Sequence, residues 1–289
     1  MPNLSFTAPT TVDEAVRMLA GSAGLAKPLS GGTDLLVQLR SGRMRPEAIV
    51  DIKRIPGLIG IREEASEYVI GAATPGVMLS AHEGLEHAWP GIVEGADLIG
   101  SQQIQGRASL AGNLCNASPA ADSVPAMIAA HATCVIAGPT GRRTAPVEAI
   151  VTGPGRTSLA KGEFIIEFHV PKPKPHQCDA YLRFIPRTEM DIAVVGCAVN
   201  VTLDAQGVCS DARVVLGAVA PTQIVCDEAA KALIGHRLDE PTLAALDAAA
   251  GRACNPITDK RGTIEYRIKV AGVLARRAAQ IAFERAGAR

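Results

Sequence analysis

The first 54 residues alternate short apolar runs with helical repeats, which is the pattern of a small α/β unit. Three apolar runs are bounded by turn residues and predict strands at Leu4–Thr7, Ala26–Leu29 and Ala48–Ile52. After the first run, Thr11-Val12-Asp13-Glu14 has the sequence of a capping box and predicts the start of a helix. A second helix is predicted from Thr33 or Asp34 to Leu39, so strands and helices alternate along this unit.

Residues 55–172 have the pattern of a larger α+β unit. Helical spacing extends over Pro90–Ile99, and Ser80-Ala81-His82-Glu83 is a second capping-box sequence. Asp122 precedes an apolar stretch at a position where its carboxylate could cap a helix. Apolar, β-prone runs predict strands at Leu58–Arg62, Tyr68–Gly71, Thr133–Ala137 and Glu163–Val170.

The segment Pro171-Lys172-Pro173-Lys174-Pro175 separates this unit from residues 176–289, because alternate prolines exclude both helix and strand pairing. Beyond it, alternating apolar runs predict antiparallel strands at Ala180–Ile185, Ile192–Leu203 and Val208–Val219. Helices are predicted at Glu228–Leu233, Leu243–Ala253 and Ile264–Arg285. The last of them has an apolar stripe, and its arginines, among them Arg267 and Arg276, are expected mainly outside that stripe.

Composition narrows the class of protein. The chain has 289 residues, of which 47% are hydrophobic and 20% charged, as in a folded globular protein. Its 29 basic and 29 acidic residues balance, and only 3% of residues are aromatic, so neither nucleic acid nor an anionic membrane is an expected partner. We find no membrane-span pattern and no secretory signal at the N-terminus.

The seven cysteines are odd in number and scattered, without a C-x-x-C pair. This spacing predicts reduced thiols in a cytoplasmic protein, and no iron–sulfur, zinc or other metal site within the chain. The sequence also lacks G-x-x-x-x-G-K-[ST], G-x-G-x-x-G and G-x-S-x-G motifs, and its six histidines have no metal-ligand spacing. We therefore predict no catalytic acid, base or nucleophile.

Two glycine-bearing loops carry the remaining chemistry. The first is Leu29-Ser30-Gly31-Gly32-Thr33-Asp34-Leu35-Leu36, and the second runs from Arg107 to Asp122. Small residues let a backbone approach a bulky ligand, and free N–H groups there can bind phosphate oxygens. Each loop alone also fits a simpler interpretation, a tight turn ending in a helix cap. Together they indicate a long ligand held from two sides, such as a dinucleotide.

Three ordered motifs resemble those of a known family. The first loop resembles A-G-G-x-[ST]-L-L, and Arg107–Asp122 resembles T-[IV]-G-G-N-L-x-x-A-[DS]-P-x-x-D. Tyr181–Ala193 resembles the stretch F-x-K/R-…-R-x-x-D-[IY]-A. All three belong to the FAD-binding subunits of molybdenum hydroxylases, the group that includes xanthine dehydrogenase, carbon monoxide dehydrogenase and 4-hydroxybenzoyl-CoA reductase.

The resemblance implies an α+β fold with a two-part, PCMH-type FAD-binding domain. Its parts would be the small α/β unit at residues 1–54 and the larger α+β unit at residues 55–172. A C-terminal domain of antiparallel sheet covered by helices, at residues 176–289, would follow.

The resemblance also implies a set of FAD contacts. Main-chain N–H groups of the first loop would wrap the diphosphate and its neighbouring parts, and residues of the second loop would hold it from the other side. Asp122 would bond sugar hydroxyls, Ile165 would pack on the flavin ring, Arg183 would bring positive charge to the ring's polar edge, and Ile192 would cover one ring face. The loop residues in this set are Ser30, Gly31, Gly32, Thr33, Asp34, Leu35, Ala108, Ser109, Gly112 and Asn113.

Two positions depart from the family pattern. Ala111 replaces the first glycine of the usual pair, and Ser109 replaces the common threonine. Alanine fits at 111 only if its φ is negative. The chain also lacks the cysteine-rich insert of the benzoyl-CoA-type members.

The function implied is electron transfer through FAD in a multi-subunit molybdenum-containing dehydrogenase. The partners would be a 2Fe–2S small subunit and a molybdopterin large subunit, assembled as a dimer of heterotrimers, with NAD⁺, a quinone or another carrier as electron acceptor. Two alternatives stay open: a stand-alone FAD-dependent oxidase or reductase of the same fold, and a cofactor-free assembly module. The substrate of the complex cannot be inferred from this chain.

Overall fold

The computed structural model describes residues 4–289. Its helices are α1 Val12–Gly21, α2 Leu35–Arg40, α3 Gly76–Ser80, α4 Glu83–Ala88, α5 Pro90–Asp97, α6 Gln102–Gln105, α7 Leu110–Cys115, α8 Ser123–Ala129, α9 Asp227–Leu233, α10 Glu240–Ala253 and α11 Ile264–Gly287. Its strands are β1 Ser5–Thr7, β2 Ala26–Leu29, β3 Ala48–Asp51, β4 Ile61–Glu63, β5 Glu67–Gly71, β6 Thr133–Gly138, β7 Gly141–Pro146, β8 Val151–Gly153, β9 Arg156–Thr157, β10 Phe164–Pro171, β11 Gln177–Phe184, β12 Val195–Leu203, β13 Cys209–Gly217 and β14 Ile224–Val225.

The small N-terminal unit is the predicted α/β unit, and its three strands form a parallel sheet in the order β1-β3-β2. Helix α1 begins where the first capping box places it, because the Thr11 hydroxyl accepts a hydrogen bond from the Glu14 N–H at 3.2 Å. Its apolar side chains Ala15, Val16 and Leu19 are buried. Strand β2 ends at Leu29, so the first glycine loop begins at the carboxyl end of a parallel strand.

The second unit is built on an antiparallel five-stranded sheet in the order β4-β5-β10-β6-β7. Helices α3–α8 lie between β5 and β6 in the chain, and their apolar faces join a large core around Trp89 and Phe168. The predicted strand at Leu58–Arg62 is wrong in its first half. The carbonyl of Leu58 accepts from the Ala73 N–H, Gly60 has a φ of +128°, and pairing starts only at Ile61.

Two predicted helix caps in this unit are also wrong. Helix α4 is capped by His82, whose Nδ1 accepts from the Leu85 N–H at 3.0 Å, whereas the Ser80 hydroxyl donates to the Gly76 carbonyl and contacts Asp97. Asp122 precedes α8, but its side chain makes no capping hydrogen bond. Its carboxylate is bound by the C-terminal domain instead.

The C-terminal domain is an antiparallel sheet in the order β11-β12-β13-β14, with α9, α10 and α11 packed on it as expected. The expectation that Arg267 lies outside the buried stripe of α11 is wrong. Its guanidinium is buried and donates to the carbonyls of Val194 and Ala218 and to Asp259. The buried charge of Arg267 is tolerated because these three acceptors bind the terminal nitrogens of its guanidinium.

Strand β11 fixes the C-terminal domain along helix α5. The Asp179 carboxylate accepts from the Gly91 N–H at the start of the helix, at 3.0 Å. Four residues later, the Arg183 guanidinium donates to the Leu98 carbonyl at the helix end, at 2.7 Å. Acid at the N-terminus and base at the C-terminus of a helix are the favourable arrangement. The register between the two domains is therefore set by side chains from one strand.

No helix within residues 4–289 is both long and apolar enough to cross a membrane.

Candidate functional site

A cavity of about 600 Å³ lies between the small N-terminal unit and the second unit. Its volume is in the range of pockets that hold cofactors and other small molecules. The cavity wall contains eleven of the fourteen residues predicted from the sequence, namely Ser30, Gly31, Gly32, Thr33, Asp34, Leu35, Ala108, Ser109, Gly112, Asn113 and Ile165.

The two glycine loops touch each other although they are about eighty residues apart in the chain. The hydroxyls of Ser30 and Ser109 are hydrogen-bonded at 2.7 Å. The Lys53 ammonium donates to the Ser30 carbonyl at 2.9 Å and holds the first loop from behind. A Cβ atom at residue 31 would lie far inside van der Waals contact with the Arg107 carbonyl. Glycine at position 31 is therefore required for the loops to meet.

The first loop presents free donors to the cavity. The N–H groups of Gly31, Gly32, Thr33 and Asp34 donate to no acceptor within residues 4–289. Gly32 has a φ of +80°, a left-handed conformation that glycine adopts without strain. Consecutive N–H groups in such a turn form a concave anion-binding site. The loop can therefore bind the oxygens of a diphosphate.

The second loop is held in shape by its own side chains. Ser109 caps α7, because its hydroxyl accepts from the Gly112 N–H at 3.2 Å. The side-chain Oδ1 of Asn113 accepts a hydrogen bond from the Ser123 hydroxyl at 2.8 Å, which links the loop to α8. Ala111 lies inside α7 and is not among the residues with positive φ, so alanine fits where the family pattern has glycine. The Ser109 hydroxyl therefore joins the two loops, and the Asn113 side chain holds the second loop against α8.

Asp122 and Arg183 lie outside the cavity wall and form a buried pair. The Arg183 guanidinium donates to the Asp122 carboxylate at 2.8 Å, and the two side chains are 4% and 10% exposed. The Tyr181 hydroxyl donates to the other carboxylate oxygen at 3.0 Å. Burial raises the pKa of Asp122 to about 6, although Arg183 and Tyr181 oppose this rise.

This pair is close to the cavity because Arg183 also binds the carbonyl of Leu98, and the next residue, Ile99, lines the wall. Ile192, by contrast, is 51% exposed and does not line the cavity. The structure therefore brings together eleven predicted residues in the cavity wall. Arg183 contacts Leu98, the neighbour of the wall residue Ile99, and Asp122 is linked to it through Arg183. Ile192 lies apart from them.

The wall holds two lysines, Lys27 and Lys161, and two acids, Asp34 and Glu163, and burial raises the pKa of Asp34. Lys27 lines the cavity and has no acidic partner within residues 4–289. Glu163 also lines it, but Arg143 binds both of its carboxylate oxygens at 2.8 Å and lowers its pKa. No three His, Cys, Asp or Glu side chains in the described part of the chain lie together as metal ligands would. The donors, the lysine and the small residues fit a long dinucleotide such as FAD.

Sequence reasoning missed part of the wall. Lys27, Gln38, Met44 and Asn116 line the cavity, and so do parts of the segment from Gly155 to Phe164. Lys27 precedes the first loop on an edge strand, a position that could have indicated it. The other residues come together only through the tertiary fold, so no local pattern marked them.

Two family models match the chain. The model described as "FAD binding domain in molybdopterin dehydrogenase" matches residues 2–173. The model described as "CO dehydrogenase flavoprotein C-terminal domain" matches residues 180–282.

Similar proteins match over their whole length. The medium chain of carbon monoxide dehydrogenase from Hydrogenophaga pseudoflava is 34% identical, with 98% of each chain covered. The xanthine dehydrogenase FAD-binding subunit of Escherichia coli O157:H7 is 32% identical and covers 98% of this chain and 97% of its own. A solved structure of the Hydrogenophaga pseudoflava enzyme superimposes with a TM-score of 0.93 at 35% identity, with 98% of each chain covered.

Proposed function

This chain belongs to the FAD-binding subunits of the molybdenum hydroxylase family, and on that basis we propose that it transfers electrons between partner subunits and an acceptor. It is an oxidoreductase subunit with FAD as its own cofactor. We propose that the partners are a 2Fe–2S small subunit and a molybdopterin large subunit, in a dimer of heterotrimers. The names of similar proteins, such as the carbon monoxide dehydrogenase medium chain, support a multi-subunit assembly.

The observation that carries this proposal is the contact between the two glycine loops. The Ser30–Ser109 hydrogen bond and the required glycine at 31 bring the loops together, and the first loop contributes four N–H groups that have no protein acceptor within residues 4–289. Such groups hold diphosphate oxygens without any catalytic side chain.

FAD, when bound, supplies the capacity to take up and release two electrons. This chain's residues bind and orient it and adjust the charge around it. We propose that Ile165 packs on the flavin ring, and that Asp122 and Arg183, just behind Ile99, act at the same end. Each Asp122 oxygen accepts one hydrogen bond from protein and can accept another from a hydroxyl. We further propose that Ile192 covers a ring face.

The acceptor that we propose is NAD⁺, a quinone or another carrier, and the compartment is the cytoplasm. The seven cysteines are free thiols, which is typical of proteins from a reducing compartment.

The test uses the complex purified through a tag on this chain from the cells that express it. We expect co-purified subunits with 2Fe–2S and molybdopterin, and a flavin absorption band. The complex is reduced with dithionite, freed of excess reductant and mixed with NAD⁺ or a quinone analogue. Reoxidation should slow when FAD has been stripped and recover when FAD is added back. Equal rates with and without FAD would refute electron transfer through this subunit.

Two other outcomes address the alternatives. Steady-state oxidation of an alcohol or sugar by the isolated chain would favour a stand-alone oxidase. A colourless, folded chain that does not take up FAD would favour a cofactor-free assembly module.

A further inference from the structure

A pair of amide side chains, one from α2 and one from the second loop, lines the cavity. Gln38 of α2 donates from its Nε2 to the Oδ1 of Asn116, which follows α7, at 2.9 Å. Both residues are half-buried and line the cavity. Within residues 4–289, neither side-chain amide makes another hydrogen bond. One side-chain carbonyl oxygen and one NH₂ group of this pair are thus free to bond a ligand in the cavity.

This result does not depend on which amide is the donor. Two amides joined by a single N–H···O bond always leave one free oxygen and one free NH₂ group. Adenine presents the matching set along its edge, since its N6 amino group donates beside a ring nitrogen that accepts. Asn and Gln side chains are the usual partners of this edge in nucleic-acid recognition.

The surroundings of the amide pair also suit a purine ring. Met44 lines the same cavity, and its main-chain N–H donates to the main-chain carbonyl of Gln38. Thioethers pack favourably on aromatic rings. Burial raises the pKa of Cys115 to about 12, so its thiol stays neutral and adds apolar surface. Lys27 lies near Cys115, where its positive charge opposes the rise of that pKa.

The position of Gln38 relative to the first loop fits an extended dinucleotide whose diphosphate lies at that loop. Gln38 lies three residues into α2, about 5 Å along the helix axis from Leu35, which adjoins the first loop. A diphosphate at that loop would have the adenosine half near Gln38 if the flavin extends towards Ile99 and Ile165. We propose that Gln38 and Asn116, flanked by Met44 and Lys27, form the adenine subsite of the FAD site. This inference rests on the proposed use of the cavity for FAD.

The test compares binding of FAD, ADP and FMN to the FAD-free protein by calorimetry. The variant is Gln38→Met, which keeps length and helix propensity but removes the amide. The control is Gln280→Met, on the exposed side of α11 and without a recorded side-chain hydrogen bond. We expect the Gln38→Met protein to bind FAD and ADP about tenfold more weakly, as for one lost hydrogen bond. Binding of FMN, which has no adenine, should not change.

A second measurement needs no variant. In 1,N6-etheno-FAD the adenine edge is closed by an extra ring, so its amino donor is lost. Wild-type protein should bind this analogue about tenfold more weakly than FAD, and the difference should disappear in Gln38→Met.

Unchanged affinities for FAD and ADP in Gln38→Met would overturn the inference, and so would equal binding of FAD and its etheno analogue by the wild type. Parallel weakening of FMN would assign the amide pair a merely structural role in joining α2 to α7. A wild-type protein that binds no FAD would refute the proposed function itself, whereas normal FAD binding with no effect of Gln38→Met refutes only the subsite.

Discussion

Replacement of Asp122 separates its structural role from any role at the cofactor. Its carboxylate is bound by Arg183 at 2.8 Å and by Tyr181 at 3.0 Å, and it is the anionic partner of a guanidinium that is 4% exposed. Asp122→Ala leaves that guanidinium buried with only the Leu98 carbonyl as acceptor. Breaking a buried pair on one side costs about 3–5 kcal/mol of stability.

Smaller changes at the same place should cost less. Tyr181→Phe removes one hydrogen bond to the carboxylate and should cost about 1–2 kcal/mol. Asp122→Asn keeps an acceptor but loses the charge, so its cost should lie between the other two. Urea denaturation of the FAD-free proteins gives the free energies of unfolding, and FAD titration of each folded variant gives its dissociation constant.

Two results are expected together. Stability in the absence of FAD should fall in the order Tyr181→Phe, Asp122→Asn, Asp122→Ala. FAD affinity of Asp122→Ala should fall by about 1–3 kcal/mol, the cost of a lost charged hydrogen bond. If Asp122→Ala binds FAD more weakly while its free energy of unfolding without FAD falls by less than 1 kcal/mol, the argument that Asp122 joins the domains is refuted. If its stability falls while FAD affinity is unchanged, Asp122 is a domain contact and not a cofactor ligand.

Burial raises the pKa of Asp179 to about 7, and one of its oxygens has no partner among the described residues. The folded state therefore binds this proton more tightly than the unfolded state. As the pH rises from about 4 to about 7, the free energy of unfolding should fall by at most about 4 kcal/mol, and above that it should level off. Asp179→Asn should flatten this fall in pH-dependent denaturation, and an unchanged pH profile would contradict the assignment. Arg267→Met leaves the carbonyls of Val194 and Ala218 without a donor and should cost about 2–4 kcal/mol in urea denaturation. The control Arg276→Met, on the same helix, breaks an exposed pair and should cost less than about 1 kcal/mol; similar costs for both would show that burial of Arg267 is unimportant.

Elements with a strong repeat could be predicted from the sequence. Strand β2 has the predicted bounds Ala26–Leu29, and α9 begins and ends within one residue of the predicted Glu228–Leu233. Their polarity patterns are set by burial of one face, which local spacing records. Strand β7 could not be predicted, because Gly141–Pro146 is a polar strand at the edge of its sheet, paired within the described residues with β6 alone. Its pairing depends on a neighbouring strand and not on its own pattern.

The site was predictable where the backbone makes the contacts. Glycines, serines and N–H groups of the loops have sequence signatures because only small residues fit there. A local rule predicts that Asp122 caps a helix, but its carboxylate instead accepts hydrogen bonds from Tyr181 and Arg183, about sixty residues away in the chain. Gln38 and Asn116 are 78 residues apart, so neither reveals the other before the chain folds.

The central claim is that FAD is held where the two loops meet, and Gly31→Ala tests it most directly. The added methyl group would clash with the Arg107 carbonyl and force the loops apart. Gly106→Ala is the matched control, because its added methyl group would find only ordinary van der Waals neighbours. The FAD dissociation constant of Gly31→Ala should rise about ten- to a hundredfold, the equivalent of a 1–3 kcal/mol overpacking cost, while Gly106→Ala should match the wild type. Equal FAD affinities for both folded variants would contradict the account.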